Sequence, residues 1–136
     1  MKKVVSLWLP VFVWAGFIFL FSSLTVTPST EIYWQDFVVK KTAHIVEYGI
    51  LTVLLYRAMK ESGVSVQNAA LWAILIAVFY GASDEFHQSF TPGREPRARD
   101  VLFDTIGAVL AIYGVWNLLP RASKRIRDFG RRLRLI

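Results

Sequence analysis

Residues 84–104 read DEFHQSFTPGREPRARDVLFD, and about half of these side chains are charged or form hydrogen bonds. The stretch separates two apolar segments, residues 69–83 and 105–119. Ionisable groups beside apolar segments are costly in lipid, so a chain that places many of them there is expected to use them. Because Pro92 and Gly93 break any helix, the stretch predicts two helices that meet a short polar loop at one membrane boundary.

The other end of the 136-residue chain favours a membrane protein more directly. Val4–Leu24 contains no charged residue, and about 20 apolar residues cross a bilayer as a helix. The overall composition agrees, with 54% hydrophobic residues and a mean hydropathy of +0.42. The run is longer than the roughly 7–15 apolar residues of a signal peptide. We therefore interpret it as an uncleaved first transmembrane helix, kinked at Pro10.

The remaining apolar segments complete an all-α prediction, a polytopic four-helix transmembrane bundle over residues 1–120. The predicted helices cover about residues 4–24, 39–59, 67–90 and 100–119. Residues 25–39 form the first loop, in which residues 32–38 suit a short interfacial helix with Tyr33 and Trp34 at headgroup level. Gly63 is the expected end of the second helix. Residues 121–136 form a basic cytoplasmic tail.

The basic residues predict the orientation of this bundle. With four spans, one side carries Lys2, Lys3, Arg57, Lys60 and the tail, so both termini are predicted to be cytoplasmic. The tail holds seven of the sixteen basic residues and suits anionic lipid headgroups. No motif favours nucleic acid as a partner. The absence of cysteine excludes disulfides and thiol chemistry.

Polar residues recur at helical spacing near the predicted outer ends of three helices. Turning these stripes inward would let acids meet bases and form an extracytoplasmic-facing pocket. The stripes are Lys41, His44, Glu47 and Tyr48; Asp84, His87 and Gln88; and Asp100, Asp104 and Gly107. The alternative is a set of buried ion pairs that only hold the bundle together.

Three chemistries fit these residue types. Arg94, Lys41 and Arg99 suit a phosphate or carboxylate. A divalent metal ion could take oxygen and nitrogen ligands, with Glu47, Asp84, His87 and Asp104 as the main candidates and His44, Glu85 and Asp100 nearby. Acid–base catalysis could use His44 or His87 with a carboxylate partner. Ser83 and Ser89 flank the site without any mark of a nucleophile.

The chain resembles the VanZ-like family of small bacterial membrane proteins. The matching motifs are Lys41-x-x-His44-x-x-x-Tyr48-x-x-Leu51 and Asp84-Glu85-x-x-Gln88, followed by Pro92-Gly93-Arg94, Asp100-Val101 and Gly107. The resemblance implies a multi-pass protein of the bacterial cytoplasmic membrane. The family takes its name from a protein tied to resistance against teicoplanin, which acts on peptidoglycan precursors outside the cell. It supplies no reaction, and resistance is not carried over.

Two positions depart from the family pattern. Where the family has Asp before the motif lysine, this chain has Lys40, and where the family has Asn four residues after the last motif Asp, it has Asp104. One change adds a positive charge and the other a negative charge. The two changes either compensate each other or indicate a different substrate.

Our first hypothesis is an enzyme or a binding protein for an anionic, phosphorylated lipid or cell-envelope precursor headgroup. The predicted catalytic residues are His44, Asp84 and Glu85. The predicted binding residues are Lys41, Tyr48, Gln88, Arg94, Asp100 and Asp104. A divalent ion is the one cofactor considered, and membrane lipids or a lipid-linked cell-wall precursor are the expected partners.

Three alternatives remain open from the sequence. A non-catalytic envelope protein could bind or shield a cell-wall precursor or a glycopeptide-type antibiotic. A small transporter would need a homo-oligomer, because four helices leave little room for a pathway. A structural bundle would have no ligand at all.

Overall fold

The computed structural model describes residues 2–24, 33–92 and 97–136, with only the backbone at positions 2, 33, 35 and 36. The described chain is helical and contains no strand, which confirms the all-α prediction. Its helices are α1 (Lys2–Ser23), α2 (Tyr33–Glu61), α3 (Val66–Gln88), α4 (Ala98–Tyr113) and α5 (Lys124–Arg132). Between α4 and α5 the chain forms a π-helical segment, Gly114–Leu118, and a 3₁₀ turn, Leu119–Arg121.

Among the described residues, three helical segments are long and apolar enough to cross a membrane. They are Lys3–Ser23, Val66–Gln88 and Ala98–Arg121. Large apolar side chains such as Phe12, Phe79 and Leu110 stay exposed on their outer faces, as expected where lipid covers them. With 29 residues α2 is longer, but its composition is more polar. A fourth span and the cytoplasmic placement of both termini therefore stay predictions.

The first four helices run alternately up and down, and hydrogen bonds fix their directions. Trp14 Nε1 donates to the Glu47 carbonyl at 2.9 Å, and Trp8 Nε1 donates to Ser62 Oγ at 3.3 Å, so α1 is antiparallel to α2. Trp116 Nε1 donates to Tyr56 Oη at 3.3 Å near the ends of α4 and α2. Because both helices begin at the opposite end of the bundle, α2 and α4 are parallel. The most extensive helix contact is between them, and α2 also contacts α1 and α3.

Small residues allow α2 and α4 to approach closely. A Cβ placed at Gly107 would lie 2.9 Å from the Cα of Ile45, a distance that no real side chain keeps. Gly49 faces the Gly107 carbonyl in the same crossing. Close backbone approach through small residues is the usual way helices associate in lipid. The close approach at Gly107 fixes the register of α4 against α2. The polar residues one to two turns earlier on the two helices therefore lie opposite each other.

Most helices begin and end near the predicted bounds, but α2 begins at Tyr33, about six residues earlier, and α4 ends at Tyr113, where the π-helical segment follows. Residues 33–38 form no separate interfacial helix, because α2 continues through them from Tyr33. The Phe37 ring packs edge-on to Phe103 of α4, with centroids 6.2 Å apart. Lys41 Nζ lies 5.5 Å from the centroid of the Phe37 ring. These contacts hold the first turns of α2 in the bundle. Residues 25–32 of the predicted first loop lie outside the described residues.

The basic tail folds back on the end of the bundle where α2 finishes. Leu119 packs on Gly130 of α5, and Arg134 Nη1 pairs with Glu61 Oε2 at 3.2 Å. Arg134 has a φ of 58°, in the left-handed region that often ends a helix, and the Leu135 N–H returns to the Gly130 carbonyl at 3.0 Å. The tail is thus a short folded helix, and binding to anionic lipid stays a prediction.

Candidate functional site

Polar side chains from three helices meet at the end of the bundle opposite α5. We call this group the polar pocket. Seven of its members are at most 8% exposed, and the His44 side chain is 14% exposed. The members are Lys41, His44 and Tyr48 of α2, Asp84, Glu85 and Gln88 of α3, and Asp100 and Asp104 of α4. The structure therefore brings together all the predicted catalytic and binding residues that it describes; Arg94 lies outside the described residues.

Two acid–base pairs join α2 to α4. Lys41 Nζ donates to Asp100 Oδ1, and both side chains are about nine-tenths buried. One turn further, His44 Nδ1 lies 2.8 Å from Asp104 Oδ1. The helices are parallel, so partners spaced by three residues on α2 meet partners spaced by four on α4. Arg99 Nε is 4.0 Å from Asp100 Oδ1, but its side chain is half exposed and interacts weakly.

The α3 residues of the pocket support each other and the start of α4. Gln88 Nε2 donates to Asp84 Oδ2 at 2.8 Å, one turn away on the same helix. Glu85 Oε2 accepts from the Arg97 backbone N–H at 2.7 Å. Arg97 is the N-cap of α4 and makes no side-chain cap of its own. Glu85 therefore satisfies a backbone donor at the start of α4 from a neighbouring helix.

Three oxygens of the pocket have no hydrogen-bond partner within the described chain. They are Tyr48 Oη, Asp84 Oδ1 and Glu85 Oε1, and each is almost completely buried. Most buried polar side-chain atoms in proteins are hydrogen-bonded, so each exception needs an explanation. Three such atoms in one pocket could accept hydrogen bonds from a ligand or from water.

Gly81 is a pocket residue that sequence analysis missed. A Cβ at this position would lie 2.7 Å from Asp104 Oδ2 and 3.3 Å from Tyr48 Cε1. Only glycine therefore allows Asp104 and Tyr48 to pack against the α3 backbone. The signal was its position four residues before Glu85 and seven before Gln88, on the same helix face.

Two of the predicted metal ligands face away from the polar pocket. Glu47 lines a cavity of about 190 Å³ together with Trp14, Phe17, Ile18 and Phe21 of α1. The His87 ring packs on Phe19 of α1, with centroids 4.4 Å apart. Each follows a pocket residue by three positions, and three residues leave a helical offset of about 60°. That offset turns both side chains from α4 toward α1.

A different set of groups has the geometry of a metal site. Ligating atoms of His44, Glu85 and Asp100 all lie within 4.8 Å of one another. No other set of three or more does so among residues 2–24, 33–92 and 97–136. The predicted set of Glu47, Asp84, His87 and Asp104 is thus not assembled by the structure.

The charge of the pocket is strongly unbalanced. Four acidic side chains, those of Asp84, Glu85, Asp100 and Asp104, are buried together with a single lysine, Lys41. Buried charges are costly unless they are paired. The described residues are therefore suited to a cation or to hydrogen-bond donors, and an anion needs further positive charge.

These features define a helical integral membrane protein with a buried polar pocket at one end of its bundle. The model of the VanZ/LLP1 family matches residues 7–119, which include every member of the pocket. The chain therefore belongs to the VanZ/LLP1 family, as the two sequence motifs predicted. No curated protein matches the chain. None of the solved structures matches it either.

Proposed function

We propose that this VanZ-family protein binds the phosphorylated headgroup of an anionic lipid or of a lipid-linked cell-envelope precursor in the polar pocket. The supporting observation is the convergence of the unpartnered Tyr48 Oη, Asp84 Oδ1 and Glu85 Oε1. A buried polar atom without a partner costs about 1–3 kcal/mol. A ligand that supplies donors to these atoms recovers that free energy.

The depth of the pocket favours a lipid headgroup over a water-soluble ligand. With 23 residues, α3 is about 34 Å long, and Asp84 lies about 6 Å from its final residue, Gln88. The pocket is therefore near the boundary of a hydrocarbon layer about 30 Å thick. At the same level Phe86, Phe90 and Leu102 are exposed. A ligand with a polar head in the pocket and an apolar chain on this surface satisfies both regions.

Different residues of the pocket contact different parts of the headgroup. Hydroxyl or ammonium donors face the free oxygens of Asp84 and Glu85, and the phosphate lies toward Lys41. Arg94 adds the positive charge that a phosphate needs, because Lys41 is already paired with Asp100. In this proposal the protein spans the bacterial cytoplasmic membrane several times, and the polar pocket lies at the outer face of that membrane.

Proton transfer is the chemistry that the pocket supports. If His44 Nδ1 carries the proton shared with Asp104 Oδ1, Nε2 remains a base. As long as Nε2 binds no cation, His44 then acts as the general base or acid toward a headgroup hydroxyl, and Asp84 and Glu85 orient that hydroxyl.

Binding without chemistry is the second candidate. Ser89 flanks the site but is no nucleophile for it, because the residue is exposed and its Oγ donates to the Phe86 carbonyl at 2.6 Å. Conservative changes separate the two candidates. If the protein only binds, Asp84→Asn should reduce function in proportion to the loss of affinity; if it is an enzyme, turnover should fall while the ligand still binds.

The binding proposal is tested by native mass spectrometry of the purified protein with a short-chain phosphatidylglycerol. Uncharged diacylglycerol of equal chain length is the reference ligand. Arg94→Ala should weaken phospholipid binding about tenfold or more, since hydrogen bonds to charged groups contribute about 1.5–3 kcal/mol. Arg121→Ala, at the opposite end, should leave it unchanged. Equal binding of both ligands, or equal loss in both variants, would refute the proposal.

A further inference from the structure

His44, Glu85 and Asp100 are each held through one atom and keep a second atom for another partner. His44 uses Nδ1 toward Asp104, Asp100 uses Oδ1 toward Lys41, and Glu85 uses Oε2 toward the Arg97 N–H. Within the described residues no hydrogen bond engages His44 Nε2, Asp100 Oδ2 or Glu85 Oε1. Three helices thus present three oriented side chains to one point.

This pattern is typical of metal ligands. A histidine that ligates through one nitrogen usually donates its other ring N–H to a carboxylate or carbonyl, which fixes the ring. Asp104 is such a carboxylate partner for His44, because its Oδ1 lies 2.8 Å from His44 Nδ1. Gly81 leaves the space in which Asp104 does so.

Glu85 gives an independent indication of a ligand. It is 6% exposed, and its Oε1 is fully buried without a partner among the residues the structure describes. A carboxylate oxygen of this side chain lies within 4.8 Å of ligating atoms of His44 and Asp100. A cation at that point would satisfy the oxygen and offset the excess of buried carboxylates.

We propose that His44, Glu85 and Asp100 bind a divalent cation. One imidazole nitrogen and two carboxylate oxygens suit a first-row transition ion such as Zn²⁺ or Mn²⁺ better than Ca²⁺, which takes oxygen ligands. Three protein ligands leave positions for water or another oxygen. One of these positions goes to a headgroup phosphate oxygen, a part of the inference that rests on the proposed function. The cation then supplies positive charge toward the phosphate, and because it occupies His44 Nε2, this arrangement is an alternative to proton transfer by His44.

The test is isothermal titration of the full chain with ZnCl₂ after treatment with a chelator, in a detergent micelle and without an affinity tag. We expect one Zn²⁺ per chain. Glu85→Gln keeps an oxygen that can accept from the Arg97 N–H but loses the charge. It should weaken binding by more than the roughly 10–100-fold that loss of an outer partner costs. Asp104→Asn, a positioning change, should fall within that range.

Glu47→Gln is the matched control. This carboxylate lies on the same helix one turn from His44 but faces α1. The variant should bind Zn²⁺ like the wild type. Absence of tight binding in a wild-type chain that is folded by circular dichroism would overturn the inference. So would a loss in Glu47→Gln equal to that in Glu85→Gln.

Titration of phosphatidylglycerol with and without Zn²⁺ separates this inference from the proposed function. Zn²⁺ binding that requires Glu85, without any lipid binding, would support the cation site and refute the headgroup proposal. Lipid binding in a chain that takes up no Zn²⁺ would refute the cation site alone. Lipid affinity that rises with Zn²⁺, except in Glu85→Gln, would support both.

Discussion

Replacing Tyr48 by Phe isolates the free energy of one buried oxygen. The Tyr48 side chain is 1% exposed, and its Oη has no partner among the described residues. Its ring lies parallel to His44 at 6.5 Å and packs beside Gly81. Phe keeps these ring contacts and removes only the hydroxyl.

Whether Tyr48→Phe is favourable or unfavourable depends on whether a ligand is bound. Without a ligand, the hydroxyl carries an unrecovered desolvation cost of about 1–3 kcal/mol. Tyr48→Phe should therefore raise the free energy of unfolding of the ligand-free chain by about 1 kcal/mol, because the small space left by the oxygen offsets part of the gain. With phosphatidylglycerol bound, the variant should lose a hydrogen bond and bind more weakly.

The assay is equilibrium unfolding in mixed micelles with increasing sodium dodecyl sulfate, followed by circular dichroism. Tyr56→Phe is the control. Tyr56 is 2% exposed, but its Oη accepts from Trp116 Nε1 at 3.3 Å. Removing that acceptor should destabilise the chain by about 1 kcal/mol. If Tyr48→Phe were destabilising to the same degree, its hydroxyl would already be satisfied and the case for a ligand would lose its main support.

Three further predictions concern packing, charge and topology. Gly107→Ala should destabilise the chain by about 1–3 kcal/mol in the same unfolding assay, because its methyl group meets the α2 backbone, while Gly16→Ala, with open space, should not. Lys41→Met leaves a buried carboxylate unpaired and should cost about 3–5 kcal/mol; a loss below 1 kcal/mol would mean that solvent reaches the pair. Because the chain has no cysteine, single cysteines can be labelled selectively. Ser62→Cys should react with impermeant thiol reagents from the cytoplasmic side and Ser89→Cys from the outside. Reaction of both from one side would exclude four alternating spans.

Helical periodicity predicted the pocket well, because its residues recur at the spacing of one or two turns. Lys41, His44 and Tyr48 fall on one face of α2, and parallel α2 and α4 place them opposite Asp100 and Asp104. The same periodicity could not separate neighbours that differ by about 60°. Glu47 and His87 were therefore grouped with the pocket, although packing of α1 turns that face toward Phe19 and Trp14.

Contacts between distant segments set the features that the sequence could not predict. Sequence analysis could not say which acid pairs with Lys41, and the register of α2 on α4 at Gly107 makes it Asp100. The cross-helix cap by Glu85 depends on the position of Arg97 at the start of α4, which no local pattern predicts. The polar first turns of α2 are helical because Phe37 and Lys41 pack on Phe103.

The position of the bound lipid phosphorus is the most direct test of the polar pocket. Single nitroxide labels are placed at Ser89→Cys, beside the pocket, or at Ser62→Cys, at the other end of α3, about 34 Å away. The ³¹P resonance of one equivalent of phosphatidylglycerol is then recorded in a phosphorus-free detergent. We expect the label at position 89 to broaden this resonance strongly and the label at position 62 to leave it sharp. Equal broadening by both labels, or stronger broadening from position 62, would contradict a headgroup site in the pocket.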